Sequence, residues 1–87
     1  MVHVSKVRFT RHAINKFQIL KNYGFEVSRQ QVINVVLNPA RVEKRNGQFL
    51  AVKPFDSMHA LRVVYEVRED FLIVITFYPV RRERYGV

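Results

Sequence analysis

The chain has 87 residues, of which 15 are Lys or Arg and 7 are Asp or Glu, for a formal net charge of +8. A second independent core would need roughly 50 further residues, so a single domain spanning 1–87 is expected. A hydrophobic fraction of 48% with three Gly and three Pro excludes a disordered tail, and the absence of Cys excludes disulfides, thiolate metal sites and cysteine nucleophiles.

Residues 2–9 are rich in β-branched and aromatic side chains and read as an N-terminal edge strand. Thr10 is a good N-cap, and Ala13, Ile14, Phe17 and Leu20 mark a helical period that closes at Tyr23 with Gly24 in the C′ position. A first helix over about 11–23 follows, with Phe25 as its C″ contact. Ser28 and Gln31 form a capping box for a second helix, whose stripe of Val32, Ile33, Val36 and Leu37 stops at Asn38-Pro39.

Beyond Pro39 the period changes from 3.6 to 2, and strands are predicted at 41–46, 48–55, 60–68 and 71–79. Their connections are Asn46-Gly47, the 56–59 segment and Glu69-Asp70. The fold class is α+β, written β-α-α-β-β-β, with an antiparallel meander sheet and two helices packed on one face. The longest mostly apolar run, 71–78, is far short of the roughly 18 residues of a membrane span. With no apolar segment of signal-peptide length, the chain reads as cytoplasmic and free of membrane.

Loop lengths predict a register. A two-residue turn at 46–47 sets Arg45 opposite Gln48 and Lys44 opposite Phe49, while a 56–59 loop sets Phe55 opposite Ala60 and Lys53 opposite Arg62. A two-residue turn at 69–70 then lays Arg62 beside Phe77, so Lys44, Lys53 and Arg62 are expected on one face. The other face, with Leu50, Val52, Leu61, Val63, Tyr65, Leu72, Val74 and Tyr78, is the expected core. Adjacent Lys53 and Arg62 require solvent, a carboxylate such as Glu66, or an anionic ligand. If alternation continues past Pro79, Arg81 and Tyr85 join the basic face.

Lys and Arg gathered with Tyr and His suit cleavage of RNA without a metal. The 2′-hydroxyl attacks its own phosphate, and the protein must orient the phosphate, stabilise the pentavalent transition state and move two protons. Arginine serves the first two tasks through its planar, permanently charged fork, which makes Arg62, Arg81 and Arg82 candidates. Lys53, His59 and Tyr85 are candidates for proton transfer. His12, at about N2 of the first helix, together with Lys44, Arg45 and Arg84, would bind substrate. The spacing of His3, His12 and His59 matches no short metal-ligand pattern, so no metal and no other cofactor is expected.

The opening Phe9-Thr10-x-His12-Ala13, the strand Leu61-Arg62-Val63-Val64-Tyr65 and the ending Thr76-Phe77-Tyr78-Pro79-x-Arg81-Arg82-x-Arg84-Tyr85 resemble the RelE/ParE-type toxin superfamily, most closely the small domain-of-unknown-function proteins grouped with RelE and BrnT. The resemblance implies a RelE-like fold and, in active members, a metal-independent endoribonuclease of the mRNA interferase type acting on ribosome-bound mRNA and neutralised by an antitoxin protein. By position it implies catalytic roles for Lys53, Arg62, Arg81 or Arg82, and Tyr85. Two other readings stay open: a non-catalytic nucleic-acid-binding module, and a protein-partner or homodimer role.

Overall fold

A computed structural model describes residues 6–87. The part of the expected first strand at 2–5, and His3 with it, lies outside the described residues. The elements run β1 (Val7–Phe9), α1 (Arg11–Asn22), α2 (Arg29–Leu37), β2 (Arg41–Arg45), β3 (Gln48–Pro54), β4 (His59–Arg68), β5 (Phe71–Arg81) and a one-turn α3 (Arg82–Tyr85). Four strands follow the helices, one more than the order β-α-α-β-β-β contains, and the last turn of helix was not anticipated.

Local chemistry accounts for both long helices. Thr10 Oγ1 accepts the Ala13 N–H at 3.1 Å, and α1 closes with Phe25 N donating to Leu20 O at 2.8 Å and Gly24 N to Lys21 O at 3.0 Å. This is a Schellman closure, which requires the positive φ of +89° that Gly24 supplies. Ser28 caps α2 with both bonds of its capping box formed.

The sheet order is β1-β5-β4-β3-β2. Strands β2 to β5 form the expected antiparallel meander, but β1 lies parallel to β5, so the sheet is mixed. Two amphipathic helices between β1 and the meander supply the crossover that a parallel pair needs. Both pack on one side of the sheet, where Ala13, Leu20, Val32, Val35 and Val36 meet Ala51, Leu61, Val63, Tyr65, Val74 and Phe77. Phe17 packs on Phe77 with ring centroids 4.7 Å apart, anchoring α1 to β5.

The first hairpin has the predicted register, with Lys44 opposite Phe49 and Arg45 opposite Gln48. The β3–β4 junction is out by one residue, whereas the 69–70 turn has the expected pairing of Arg68 with Phe71 and the register slips only beyond Tyr65. Asp56 Oδ1 accepts the N–H groups of Met58 at 2.9 Å and His59 at 2.6 Å, and the N–H groups of Phe55 and Asp56 both donate to His59 O. This Asx turn leads β4 in at His59 and pairs Pro54, rather than Phe55, with Ala60. Lys53 then faces Leu61, and Arg62 faces Val52. Between β4 and β5, Ile75 is an extra residue, because Tyr65 pairs with Val74 and Val64 with Thr76. Arg62 therefore lies beside Tyr78 instead of Phe77.

Because side chains alternate with a period of two, these slips move residues between faces. Leu61, Val63, Tyr65, Leu72 and Val74 stand in the core as expected, joined by Ala51, Phe49 and Phe77. Leu50, Val52 and Tyr78, also assigned to the core, belong to the opposite face, which the helices leave open. Lys44 and Lys53 share the helix-covered side, and Arg62 stands alone of the three on the open one.

Candidate functional site

On the open face a row of neighbours crosses four strands: Arg41 on β2, Val52 on β3, Arg62 on β4 and Tyr78 on β5. The next row is Glu43, Leu50, Val64 and Thr76. Over these rows folds α3, which begins immediately after β5 and returns Tyr85 onto the sheet. Arg62 Nη1 donates to Tyr85 Oη at 2.8 Å, and Arg41 Nη1 donates to the Tyr85 carbonyl at 2.6 Å. The Arg62 guanidinium also lies 5.2 Å from the centre of the Tyr85 ring. Glu43 Oε1 is 3.6 Å from Arg62 Nη2 and 3.2 Å from Arg45 Nη2. Arg41, Glu43, Leu50, Val52, Arg62 and Tyr85 line one hollow.

Arg82 explains why α3 holds this position. Its backbone N–H donates to Met58 O at 3.0 Å, Nη1 to Asp56 O at 3.1 Å and Nε to Val87 O at 2.9 Å. Arg82 thus pins the C-terminal turn to the β3–β4 loop, and its guanidinium points away from the Arg62 hollow. That loop is itself polarised: donation from the Met58 backbone, with further help from His59, holds the Asp56 carboxyl below its ordinary 3.8.

His12 reaches the same face from another direction. Its Nε2 is 3.2 Å from Thr76 Oγ1, in the row next to that of Arg62. The start of α1 is held there because Thr10 N donates to Val74 O and Thr10 Oγ1 to Ile75 O, each at 3.0 Å. The bulge that exposes the Ile75 carbonyl thereby positions His12. One turn later, Lys16 lies 5.9 Å from the Tyr78 ring.

The other sequence candidates are dispersed. His59 pairs with Arg81 across β4 and β5, presents its ring to Phe25 at 5.1 Å, and is 3.1 Å from Asp56 Oδ1. Arg81 is exposed and 3.9 Å from Glu83. Arg45 pairs with Glu43, Arg84 is exposed on α3, and Lys44 lies 5.5 Å from the Phe49 ring on the helix-covered side. Lys53 faces a cleft beside α2. The structure therefore brings Arg62 and Tyr85 together, with His12 nearby in the next row, and leaves Lys53, Arg81 and Arg82 elsewhere.

Sequence reasoning missed Arg41, Glu43 and Tyr78. All three follow once the 55–59 connection and the bulge are counted correctly. Toward the far end of the open face, Glu66 accepts from Gln48 and Arg68, which hold its carboxyl below the ordinary range. Arg8 stacks there over Phe71 at 4.8 Å. The face thus carries Arg8, Arg41, Arg45, Arg62 and Arg68 against Glu43 and Glu66.

Among the described residues no group of three or more His, Asp or Glu side chains is placed to hold a metal ion, and no helix is long and apolar enough to cross a membrane. No family model, curated protein or solved structure matches the chain.

Proposed function

We propose that the open face binds single-stranded RNA and that the Arg62–Tyr85 hollow cleaves it without a metal, in the manner of a RelE-like toxin. The observation that carries this reading is the 2.8 Å bond from Arg62 Nη1 to Tyr85 Oη, beside a second arginine and a carboxylate. A phenolic oxygen that accepts from a guanidinium still has its own proton to give. Tyr85 is thereby oriented as a general acid, and Arg41 and Arg62 supply fixed positive charge for a phosphate.

Glu43 fits the complementary role. In this mechanism its carboxylate takes the 2′-hydroxyl proton as O2′ forms a bond to phosphorus. The bond from phosphorus to O5′ breaks, and Tyr85 protonates the departing oxygen. The products are a 2′,3′-cyclic phosphate and a 5′-hydroxyl end. Incoming phosphate would replace Glu43 as the partner of Arg62 Nη2, freeing the carboxylate for the base role. The aromatic rings of Phe71 and Tyr78, each with a cation beside it, offer stacking surfaces for unpaired bases.

The test is incubation of the purified protein with single-stranded RNA in a chelator, with end-group analysis of the products. Wild type should leave cyclic phosphate ends, and Tyr85→Phe and Glu43→Gln should each lose about 100-fold or more in rate. Uncut RNA at high protein excess, together with salt-sensitive binding, would replace the catalytic reading with that of a binding module. Absence of binding as well would leave the protein-partner role.

A further inference from the structure

On the helix-covered side a cleft opens between α2 and the ends of β3 and β4 nearest the 55–59 connection. Gln31, Asn34, Val35, Lys53, Phe55 and Leu61 line it. It lies across the sheet from the Arg62 hollow and takes no part in the cleavage proposed above.

In each of the two amides here the oxygen already accepts one bond from α2 or its cap residues, and among the described residues neither NH2 group donates one. Gln31 Oε1 accepts the Ser28 N–H at 2.8 Å, which fixes the side-chain amide because a backbone N–H can only donate. Asn34 Oδ1 accepts from Asn38 Nδ2 at 3.1 Å. Each amide therefore has an NH2 group to offer, and their three-residue spacing sets them on one side of α2. Lys53, a half-buried residue, adds an ammonium, and among the described residues no carboxylate pairs with it. Its neighbour across the strand, Leu61, is 1% exposed and supplies an apolar wall with Val35 and Phe55.

A cleft with two amide donors, one ammonium, no carboxylate and an apolar wall matches a ligand that has acceptors at one end and carbon at the other. We propose that it binds a small oxyanion on a short apolar or aromatic stem, the anion held by Lys53, Gln31 and Asn34 and the stem by Phe55 and Leu61. The oxyanion can come from a phosphate monoester or from a carboxylate, which share this recognition chemistry.

The full-length protein, labelled with nitrogen-15, would be titrated with phenyl phosphate, 3-phenylpropanoate and inorganic phosphate, following the side-chain amides of Gln31 and Asn34 by NMR. Saturable shifts centred on those amides are expected with one or both aromatic probes, and the tighter of the two identifies the source of the anion. Lys53→Met, which keeps the stem and removes the charge, should weaken binding about 10-fold or more. Asn34→Asp, which turns a donor into a like charge, should abolish it. The proposal is overturned if no probe saturates, if Lys53→Met binds as wild type does, or if inorganic phosphate binds as tightly as phenyl phosphate. RNA cleavage by Lys53→Met should equal that of wild type, so failure of this site and failure of the RNA site are read separately.

Discussion

The two faces of the sheet are built from the same four antiparallel strands yet are selected by different physics. On the helix-covered face the positions that meet α1 and α2 are apolar, and Lys44 and Lys53 share that face outside the apolar cluster. On the open face the inward and outward rules no longer apply: arginines alternate with valines, and Val52 and Val64 are buried without any long helix above them. Burial and side are therefore separate properties of a strand position. A valine at 5% exposure can belong to the polar face of a sheet if a neighbouring Arg and Tyr fold over it.

Two adjacent residues on β5 separate the faces most sharply. Phe77 is fully buried between α1 and the sheet, whereas Tyr78 faces the open side. Phe77→Ala should cost about 3–5 kcal/mol in urea unfolding, and Tyr78→Ala well under half of that. Equal losses would mean that the faces are misassigned.

A smaller effect separates the two cations that the sequence had placed side by side. Arg62→Ala should lower affinity for single-stranded RNA about 10-fold and reduce the slope of log affinity against log salt by about 1. Lys53→Met should do neither. Gly24→Ala, on the connection that brings α2 over the covered face, should cost about 1 kcal/mol through backbone strain alone, since nothing lies within 4 Å of the added methyl.

The smallest expected effect concerns the turn that sets the register. Donation from Met58 and His59 lowers the Asp56 carboxyl in the folded protein, so its contribution is present above the ordinary value of 3.8 and is lost as pH falls through the folded one. Asp56→Asn keeps an acceptor for both N–H groups but cannot titrate. Its melting temperature should therefore fall less than that of wild type on acidification from roughly pH 5 to pH 2.

The turn and the bulge also mark the limit of what was legible. Helix caps, both long helices and the Asn46-Gly47 hairpin could be read because each rests on contacts within a few residues. The register of β4 could not, because it depends on an aspartate side chain accepting from two backbone groups, and such a turn makes the loop one residue longer than its polar composition implies. The bulge did leave a trace. Val74 and Phe77 both face the helices although they are three positions apart, which an unbroken strand forbids. Of the site, the arginine and tyrosine were visible by residue type, while Arg41 and Glu43 were hidden behind the register slip at the 55–59 connection.

The parallel placement of β1 has a consequence in time. Val7–Phe9 is made early, but the strand it pairs with, Phe71–Arg81, is made late, and Arg62 likewise waits for Tyr85. During synthesis the meander can begin to pair and the helices can form locally, while neither the closing edge of the sheet nor the hollow can exist. Assembly of the hollow is thus coupled to completion of the fold, and a partly made chain would carry its cations without the geometry to use them.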